Sequence, residues 1–219
     1  MLIINCNTEA LSMLKRRPGD NTILYYSFDN DSLTDDSGNN RNGTRYNWAG
    51  SFTTGISGKC ANMGGSHAIQ LPIACPSGDF TYSVFLYSKE NSTRLQSILW
   101  VQQWGSSGYI HFHRTSSNGI VCSFSNISSE LTSGGTQPTL NGRTHIVLTR
   151  SGNVWTLYIN GVQKGQITNS MSISQNVTRY IGREYTDNRY VNGYIDEVIF
   201  ENRARSLQDI TDYRSKIVK

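Results

Sequence analysis

Residues 192–206 read Asn192-Gly193-Tyr194-Ile195-Asp196-Glu197-Val198-Ile199-Phe200-Glu201-Asn202-Arg203-Ala204-Arg205-Ser206, and they decide the fold of this chain. A regular strand alternates apolar and polar residues, but Ile195 falls out of step with Val198 and Phe200. One extra residue at Asp196-Glu197 restores a common apolar face, which is what a β-bulge does. The stretch therefore predicts a buried, bulged final strand that leads into a short helical segment.

The composition favours strands and turns over helices. Charged residues make up 16% of the chain, and Gly, Ser, Thr and Asn are abundant, as is typical of short strands joined by many turns. A chain of 219 residues can form one large all-β domain with a sizeable core. The net charge of +4 is mild, and beyond Lys15-Arg16-Arg17 no basic run favours nucleic-acid binding.

The N-terminus and the cysteines indicate the kind of compartment in which the chain is found. Met1-Leu2-Ile3-Ile4 is too short an apolar run for a secretory signal, and no stretch is apolar enough to span a membrane. The spacing of Cys6, Cys60, Cys75 and Cys122 matches no zinc pattern. We therefore expect reduced thiols, with Cys60 and Cys122 buried as small apolar residues.

Strand and turn patterns recur along the chain. Residues 23–29 and 79–87 alternate as strands do. Asn160-Gly161 lies between two strand patterns and predicts a type I′ hairpin, because both central residues of that turn need positive φ. Ser206 as the N-cap and Asp209 in the first turn predict a short C-terminal helix.

Several of these motifs resemble those of the laminin-G-like, concanavalin A-like lectin and glucanase jelly rolls. The closing stretch follows that family's pattern Gly-x-Ile-Asp-(Asp/Glu)-Val-x-(Ile/Phe)-x-x-Arg-Ala-Leu-Ser, except that Arg205 stands where Leu is preferred. Tyr26-Ser27-Phe28-Asp29, Asp36-Ser37-Gly38-Asn39 and Trp155-Thr156-Leu157-Tyr158 match further family motifs.

The resemblance runs from Thr22 to about Ile210. It implies an all-β fold, an antiparallel two-sheet jelly-roll sandwich with a short C-terminal helix. We expect an N-terminal arm at residues 1–20 and the sandwich domain at residues 21–219. The first strand, around Tyr26, should lie beside the last.

The resemblance also raises the question of catalysis, because the fold carries glycosidases. Glucanases of this fold place their carboxylates on one strand as Glu-x-Asp-x-x-Glu. The nearest run here has Tyr194 in place of the first Glu, and its final spacing is wrong. We therefore expect no enzyme activity and assign no catalytic residue. His111 and His113 share a strand face, and we favour a sugar-contacting or exposed pair over a metal pair.

Calcium is the one cofactor that the resemblance implies. Relatives of this fold often hold a structural ion between the first and last strands, where Asp29 and Asp196 occupy the matching positions. Carboxylates and backbone carbonyls suit Ca²⁺. Alternatively, Asp29 caps a turn and Asp196 accepts backbone hydrogen bonds at the bulge.

Sugar binding requires exposed aromatic faces beside groups that fix orientation by hydrogen bonds. Two polar stretches offer such faces, one with Trp104 and Tyr109 and the other with Tyr185 and Tyr190. With His111, these are the candidate carbohydrate-binding residues. Alternatively, Trp104 folds beneath its loop and the tyrosines pack on the rim of the sandwich.

The N-terminal arm is a candidate assembly contact. It is too short to form a stable isolated helix, and the sandwich offers it no obvious slot, so we expect it to dock on another chain. Its apolar and basic residues are the predicted contacts: Leu2, Ile3, Ile4, Leu11, Leu14, Arg16 and Arg17.

Two classes of function follow from these patterns. The first is a non-catalytic structural or adhesive protein of a large assembly, most simply a phage or virus particle (capsid decoration, tail or fibre), with virion proteins or sister subunits as partners. The second is a lectin-like module that binds cell-surface glycans. We expect a location in the virion or, alternatively, in the cytoplasm or outside the cell by a route without a classical signal. We expect neither nucleic-acid binding nor membrane insertion.

Overall fold

A computed structural model describes residues 19–48, 51–89, 95–101, 108–115, 119–124, 130–135, 138–173, 179–184 and 189–218. Every arm residue named above lies outside these ranges, as do Trp104 and Tyr185. The arm, its docking and the predicted domain boundary therefore stay predictions.

The described part of the chain forms strands and one C-terminal helix. The strands are β1 (Thr22–Tyr26), β2 (Thr44–Tyr46), β3 (Phe52–Thr54), β4 (Lys59–Asn62), β5 (Ala68–Leu71), β6 (Phe80–Ser88), β7 (Gln96–Val101), β8 (Ile110–Thr115), β9 (Gly119–Phe124), β10 (Leu131–Thr132), β11 (Arg143–Ser151), β12 (Val154–Ile159), β13 (Val162–Thr168), β14 (Arg179–Ile181) and β15 (Gly193–Glu201). The helix is α1 (Leu207–Ile217).

The strands form two antiparallel sheets. The first sheet has the order β13-β12-β11-β6-β15-β4-β3, with β1 also paired to β15, and the second has the order β10-β9-β8-β7-β14-β5-β2. Inward-facing residues of both sheets share one apolar core, in which Tyr82 of β6 meets Phe112 of β8 with ring centroids 5.9 Å apart. The predicted all-β jelly-roll sandwich is confirmed.

The final strand carries the predicted bulge. Its register against β6 shifts between Asp196 and Ile199, and Glu197 has a φ of +51°. Before the bulge β15 pairs with β4, and after it Val198–Glu201 pairs with β1 along the same edge. The prediction that the first and last strands lie side by side is confirmed. The bulge marks the point where β15 changes its pairing partner.

Two local predictions hold and one needs correction. Asn160 and Gly161 have φ angles of +53° and +81°, as the predicted type I′ turn requires. Ser206 and Asp209 form a capping box at the start of α1. The first strand, however, ends at Tyr26 and not at residue 29, because Phe28 has a φ of +62°, in the left-handed region.

The C-terminal helix covers part of the outer face of the first sheet. Tyr213 and Ile217 pack against Tyr25, Phe85 and Ile199. At the other end of the helix, its buried Ile210 packs on β11 and β12. This face is therefore buried where the helix lies on it.

A buried carboxylate joins the bulge to this helix and to the first strand. Glu197 is fully buried, and its Oε2 accepts hydrogen bonds from the hydroxyls of Tyr25 at 2.7 Å and Tyr213 at 2.5 Å. Such bonds to a charged acceptor are strong, and a buried acceptor that loses one is costly. Glu197 thus ties β1, β15 and α1 together.

The predicted burial of Cys60 and Cys122 is confirmed. Cys60 and Cys122 are buried free thiols, as is Cys75. Burial raises the pKa of each thiol, that of Cys60 to about 12. Among the described residues, no helix is long and apolar enough to cross a membrane.

Replacing Tyr213 with Phe should lower the free energy of unfolding by about 1 to 3 kcal/mol, because the buried Glu197 carboxylate loses a hydrogen-bond donor. The matched control is Tyr158→Phe, since the Tyr158 hydroxyl makes no hydrogen bond within the described residues and its ring is similarly buried. Urea unfolding of both variants measures the difference. Equal stability of the two variants would contradict the role of Glu197.

Candidate functional site

Cross-strand register places one side chain from each of six neighbouring strands in a row on the outer face of the second sheet. These residues face away from the core because their chain neighbours Ile69, Ile181 and Phe112 point into it. From β2 to β9 this front row consists of Thr44, Gln70, Tyr180, Trp100, His111 and Ser123.

The β2 end of the front row is open to solvent. Thr44 and Gln70 are exposed, and the side chain of Tyr46 beside them is 37% exposed. The Arg183 guanidinium lies over the Tyr46 ring, with Cζ 4.2 Å from its centroid. The Tyr46 and Tyr180 rings meet edge-on at 5.3 Å. We call these five residues the Tyr46 patch.

The Tyr46 patch is held in place from behind. Cζ of Arg183 also lies 5.0 Å from the centroid of Tyr180 and 5.5 Å from that of Tyr190, and its Nε donates to the Glu184 carbonyl at 2.7 Å. Cation–π contacts of this kind are stronger when desolvated, and Arg183 is buried. The exposed Tyr46 ring therefore rests on a fixed support.

The other end of the front row is buried and polar. Trp100 and His111 are fully buried, with ring centroids 4.6 Å apart. His111 Nε2 lies 3.1 Å from Ser97 Oγ, whereas His111 Nδ1 and Trp100 Nε1 have no hydrogen-bond partner among the described residues. Buried polar atoms without partners are rare in folded proteins, so this end of the row has unused hydrogen-bonding capacity.

The structure brings three predicted sugar-binding residues together. Tyr109 stacks near Trp100 at 6.2 Å, His111 touches the same ring, and Tyr190 packs in the same cluster. Their roles in sugar binding stay predictions, as do those of Trp104 and Tyr185. All three described side chains are at least 92% buried, because their exposed fractions are 8% for Tyr109, 0% for His111 and 8% for Tyr190.

Of the two alternatives favoured for His111 and His113, the exposed pair is wrong, and the sugar-contacting pair stays a prediction. Their exposed fractions are 0% and 5%, and their rings lie 4.2 Å apart. Burial is the main cause that lowers the pKa of each imidazole, with that of His113 at about 4. Both rings are therefore neutral at physiological pH.

Sequence reasoning missed the exposed part of the site. Gln70 could have been found, because Ile69 and Leu71 on either side of it are apolar and alternation points Gln70 outward. Tyr46 belongs to a strand of three residues, which is too short for a periodicity signal. Arg183 contacts Tyr46 across more than a hundred residues of chain, and no local pattern reports such a contact.

Asp196 and Glu197 belong to the run that was compared with the glucanase pattern, and their carboxyl groups support the fold. Asp196 accepts hydrogen bonds from the backbone N–H of Ile56 at 2.8 Å and of Glu197 at 2.9 Å, while Glu197 binds the two tyrosine hydroxyls described above. Burial, followed by the charge of Glu197, raises the pKa of Asp196 well above its usual range. This run lies in the first sheet, on the other side of the sandwich from the front row.

Asp29 and Asp196 are similarly engaged with the backbone. Asp29 Oδ1 accepts from the N–H of Lys59 at 2.8 Å, and Asp196 binds Ile56 in the same β3–β4 connection. Among the described residues, no group of three or more His, Cys, Asp or Glu side chains is placed to hold a metal ion. This donor set is too small for the six to eight oxygens of Ca²⁺, and the calcium site stays a prediction.

Comparison with protein families gives one match. A family model described as the concanavalin A-like lectin/glucanases superfamily matches residues 63–211, which is more than half of the chain. No curated protein matches the sequence.

Solved structures share the architecture. Domain 4 of an extracellular arabinanase from Geobacillus stearothermophilus, in complex with arabinotriose, aligns with a TM-score of 0.76 and 22% identity over 88% of this chain and 98% of that domain. The binding domain of Paraclostridial mosquitocidal protein 1 gives 0.72 and 18% over 89% of this chain and 52% of the other. The ligand-binding domain of botulinum neurotoxin serotype D, in complex with N-acetylneuraminic acid, gives 0.68 and 16% over 93% and 52%.

Lowering the pH from 7 to 5 should destabilise the protein. Burial lowers the pKa of His113 to about 4 and of His145 to about 3, and that of His111 well below 6.5. The unfolded chain therefore takes up protons first, so stability present above about pH 6.5 is lost as the pH falls toward these values. His113 and His145 should each contribute on the order of 1 to 2 kcal/mol of this loss.

Urea midpoints at pH 7 and pH 5 test this expectation. The raised pKa of Asp196 has the opposite effect on stability in this pH range. The three histidines with lowered pKa values outweigh this single carboxyl group. His113→Gln should flatten the pH dependence. A wild-type midpoint that does not fall between pH 7 and pH 5 would contradict the burial of neutral histidines.

The calcium prediction is tested by thermal unfolding. If an ion binds at Asp29 and Asp196, EDTA should lower the melting temperature and excess CaCl₂ should restore it, because a ligand of the native state stabilises it by mass action. Asp29→Asn should abolish the difference between the two conditions. Identical melting curves in EDTA and in calcium would exclude a stabilising ion.

Proposed function

We propose that this chain, which belongs to the concanavalin A-like lectin/glucanases superfamily, is a non-catalytic lectin-like module that binds carbohydrate. The observation that carries this proposal is the Tyr46 patch. It combines an exposed aromatic ring with an amide, a hydroxyl and a fixed guanidinium on the outer face of one sheet.

Each group of the patch matches a feature of a sugar. The 37% exposed Tyr46 ring offers an apolar surface to the C–H groups of a sugar ring. Gln70 supplies both a donor and an acceptor, and Thr44 supplies a hydroxyl. Since Arg183 is held by three tyrosine rings, the patch loses little conformational entropy when a ligand binds.

The solved structures described above support a carbohydrate ligand. The arabinanase domain was solved with arabinotriose and the botulinum domain with N-acetylneuraminic acid. Those ligands belong to those proteins, and we carry over only the chemical class. A glycan is therefore the proposed partner.

A non-catalytic role is part of the same proposal. Tyr194 stands where the glucanase pattern has its first carboxylate, and the carboxylates of Asp196 and Glu197 are buried under structural hydrogen bonds. A retaining glycosidase needs two carboxylates that face the sugar from one site, and Glu197 is fully buried. These two side chains hold the bulge and the helix.

The assembly role predicted from the sequence stays a prediction. Its support is the N-terminal arm, and residues 1–18 lie outside the described part of the chain. The virion location and the protein partners depend on the same segment. A lectin-like module can serve as the adhesive part of a particle, so the two expectations are compatible.

The proposal is tested with a glycan array that includes arabinan oligosaccharides and sialylated glycans, followed by calorimetry on the best ligand. Tyr46→Ala should weaken Kd about tenfold, because stacking on an aromatic ring contributes about 0.5 to 1.5 kcal/mol beyond the area that it buries. Gln70→Ala should weaken Kd several-fold through its lost hydrogen bonds.

Gln163→Ala is the matched control, since Gln163 is an exposed glutamine on β13 of the opposite sheet. It should bind like the wild type. A wild-type protein that binds no glycan on the array, or a Tyr46→Ala variant with unchanged Kd, would overturn the proposal.

A further inference from the structure

A second row of side chains crosses the outer face of the first sheet. Register aligns one residue from each of β11, β6, β15 and β4, and this back row consists of Arg143, Tyr87, Tyr194 and Asn62. Helix α1 covers the same face at Phe85 but leaves the back row accessible, since Arg143 is exposed and the two tyrosines are half-buried.

The back row borders a cavity of about 200 Å³. The β3–β4 connection at Gly55 and Ile56 forms one wall, and Thr53 and Cys60 of the adjoining strands line it as well. Asp196 contributes a carboxyl group to the cavity. The cavity therefore combines apolar surface with an acceptor, donors and hydroxyls.

The polar groups of this cavity are fixed by backbone contacts. Arg143 donates to the Gly55 carbonyl at 2.9 Å, and Asp196 Oδ2 accepts from the Ile56 N–H at 2.8 Å. A Cβ at Gly55 would lie 2.4 Å from Asp196 Oδ2, so only glycine lets this segment approach the carboxyl so closely. The other guanidinium nitrogens of Arg143 make no hydrogen bond to the described residues and stay available.

Aromatic rings and further polar groups complete the border. The rings of Tyr87 and Tyr194 lie 5.3 Å apart at 46°. Lys89 Nζ lies 4.0 Å from the Tyr194 centroid and donates to Asn62 Oδ1 at 3.1 Å. The ammonium and the amide are thereby placed at the edge of the aromatic pair.

We propose that this cavity is a second ligand site that takes one neutral sugar unit, held between the Tyr87–Tyr194 pair and the Arg143 and Asp196 side chains. A neutral polyol satisfies the guanidinium donors and the carboxyl group together, because its hydroxyls both donate and accept hydrogen bonds, whereas a cation would face Arg143. The cavity is smaller than the roughly 300 to 1,000 Å³ of pockets for drug-sized ligands, so it admits a single ring.

This site goes beyond the Tyr46 patch and does not depend on it, because the two lie on opposite sheets of the sandwich. A module with sites on both faces can engage two glycan chains, or two branches of one glycan whose spacing matches. Linked binding of that kind raises the overall affinity without new contacts.

The probes for this site are methyl β-D-glucopyranoside, methyl β-D-galactopyranoside, methyl β-D-xylopyranoside and methyl α-L-arabinofuranoside. Each is titrated into ¹⁵N-labelled protein and followed by ¹H–¹⁵N spectra. At least one should shift the amides of Gly55, Ile56 and Asp196 saturably, with a Kd in the millimolar range expected of a single sugar unit.

Arg143→Gln should weaken that Kd at least about fivefold, since the removed donors are charged. Tyr194→Leu, which keeps an apolar side chain but removes the ring, should weaken it as well, and melting curves check that both variants are folded. Arg45→Gln is the matched control, because Arg45 is an exposed arginine of the second sheet. Tyr46→Ala should also leave this Kd unchanged.

Failure of this proposal is distinguishable from failure of the proposed function. Glycoside-induced shifts confined to the amides of Thr44, Tyr46 and Gln70 would overturn the second site and leave the Tyr46 patch intact. Absence of shifts at Gly55 and Ile56 with all four glycosides would also overturn it. So would shifts there that both Arg143→Gln and Tyr194→Leu leave unchanged.

Discussion

The buried bulge at Asp196 and Glu197 is the constraint on which the rest of the structure depends. It lets β15 pair with β4 before the bulge and with β1 after it, along one edge. Glu197 fastens β1 and α1 through two tyrosine hydroxyls, and Asp196 fastens the β3–β4 connection. Two adjacent carboxylates thus hold the neighbours of the final strand in place before and after the bulge.

The outer face of the second sheet carries the candidate site. Helix α1 covers part of the outer face of the first sheet, while the core fixes the inward residues of the second. Antiparallel register then aligns the outward residues into the front row, from exposed Gln70 to buried His111. The exposed end of this row lies at Tyr46, where we propose the binding surface.

The sequence predicted those features that are determined by adjacent residues. The phase shift between Ile195 and Val198 indicated the bulge, and Asn160-Gly161 indicated the hairpin, because both signals come from adjacent residues. Exposure was predicted wrongly at His111, since burial depends on side chains from other strands, such as Trp100. The Tyr46 patch was missed because its members come from β2, β5 and the β14–β15 region, which only the folded sheet brings together.

A crystal structure of the protein with its best array glycan tests the central claim most directly, namely that the second sheet presents a carbohydrate site at the Tyr46 patch. The account predicts a sugar ring packed against Tyr46, with hydrogen bonds from its hydroxyls to Gln70 and to Thr44 or Arg183. A glycan bound with no contact to any residue of the patch would contradict it.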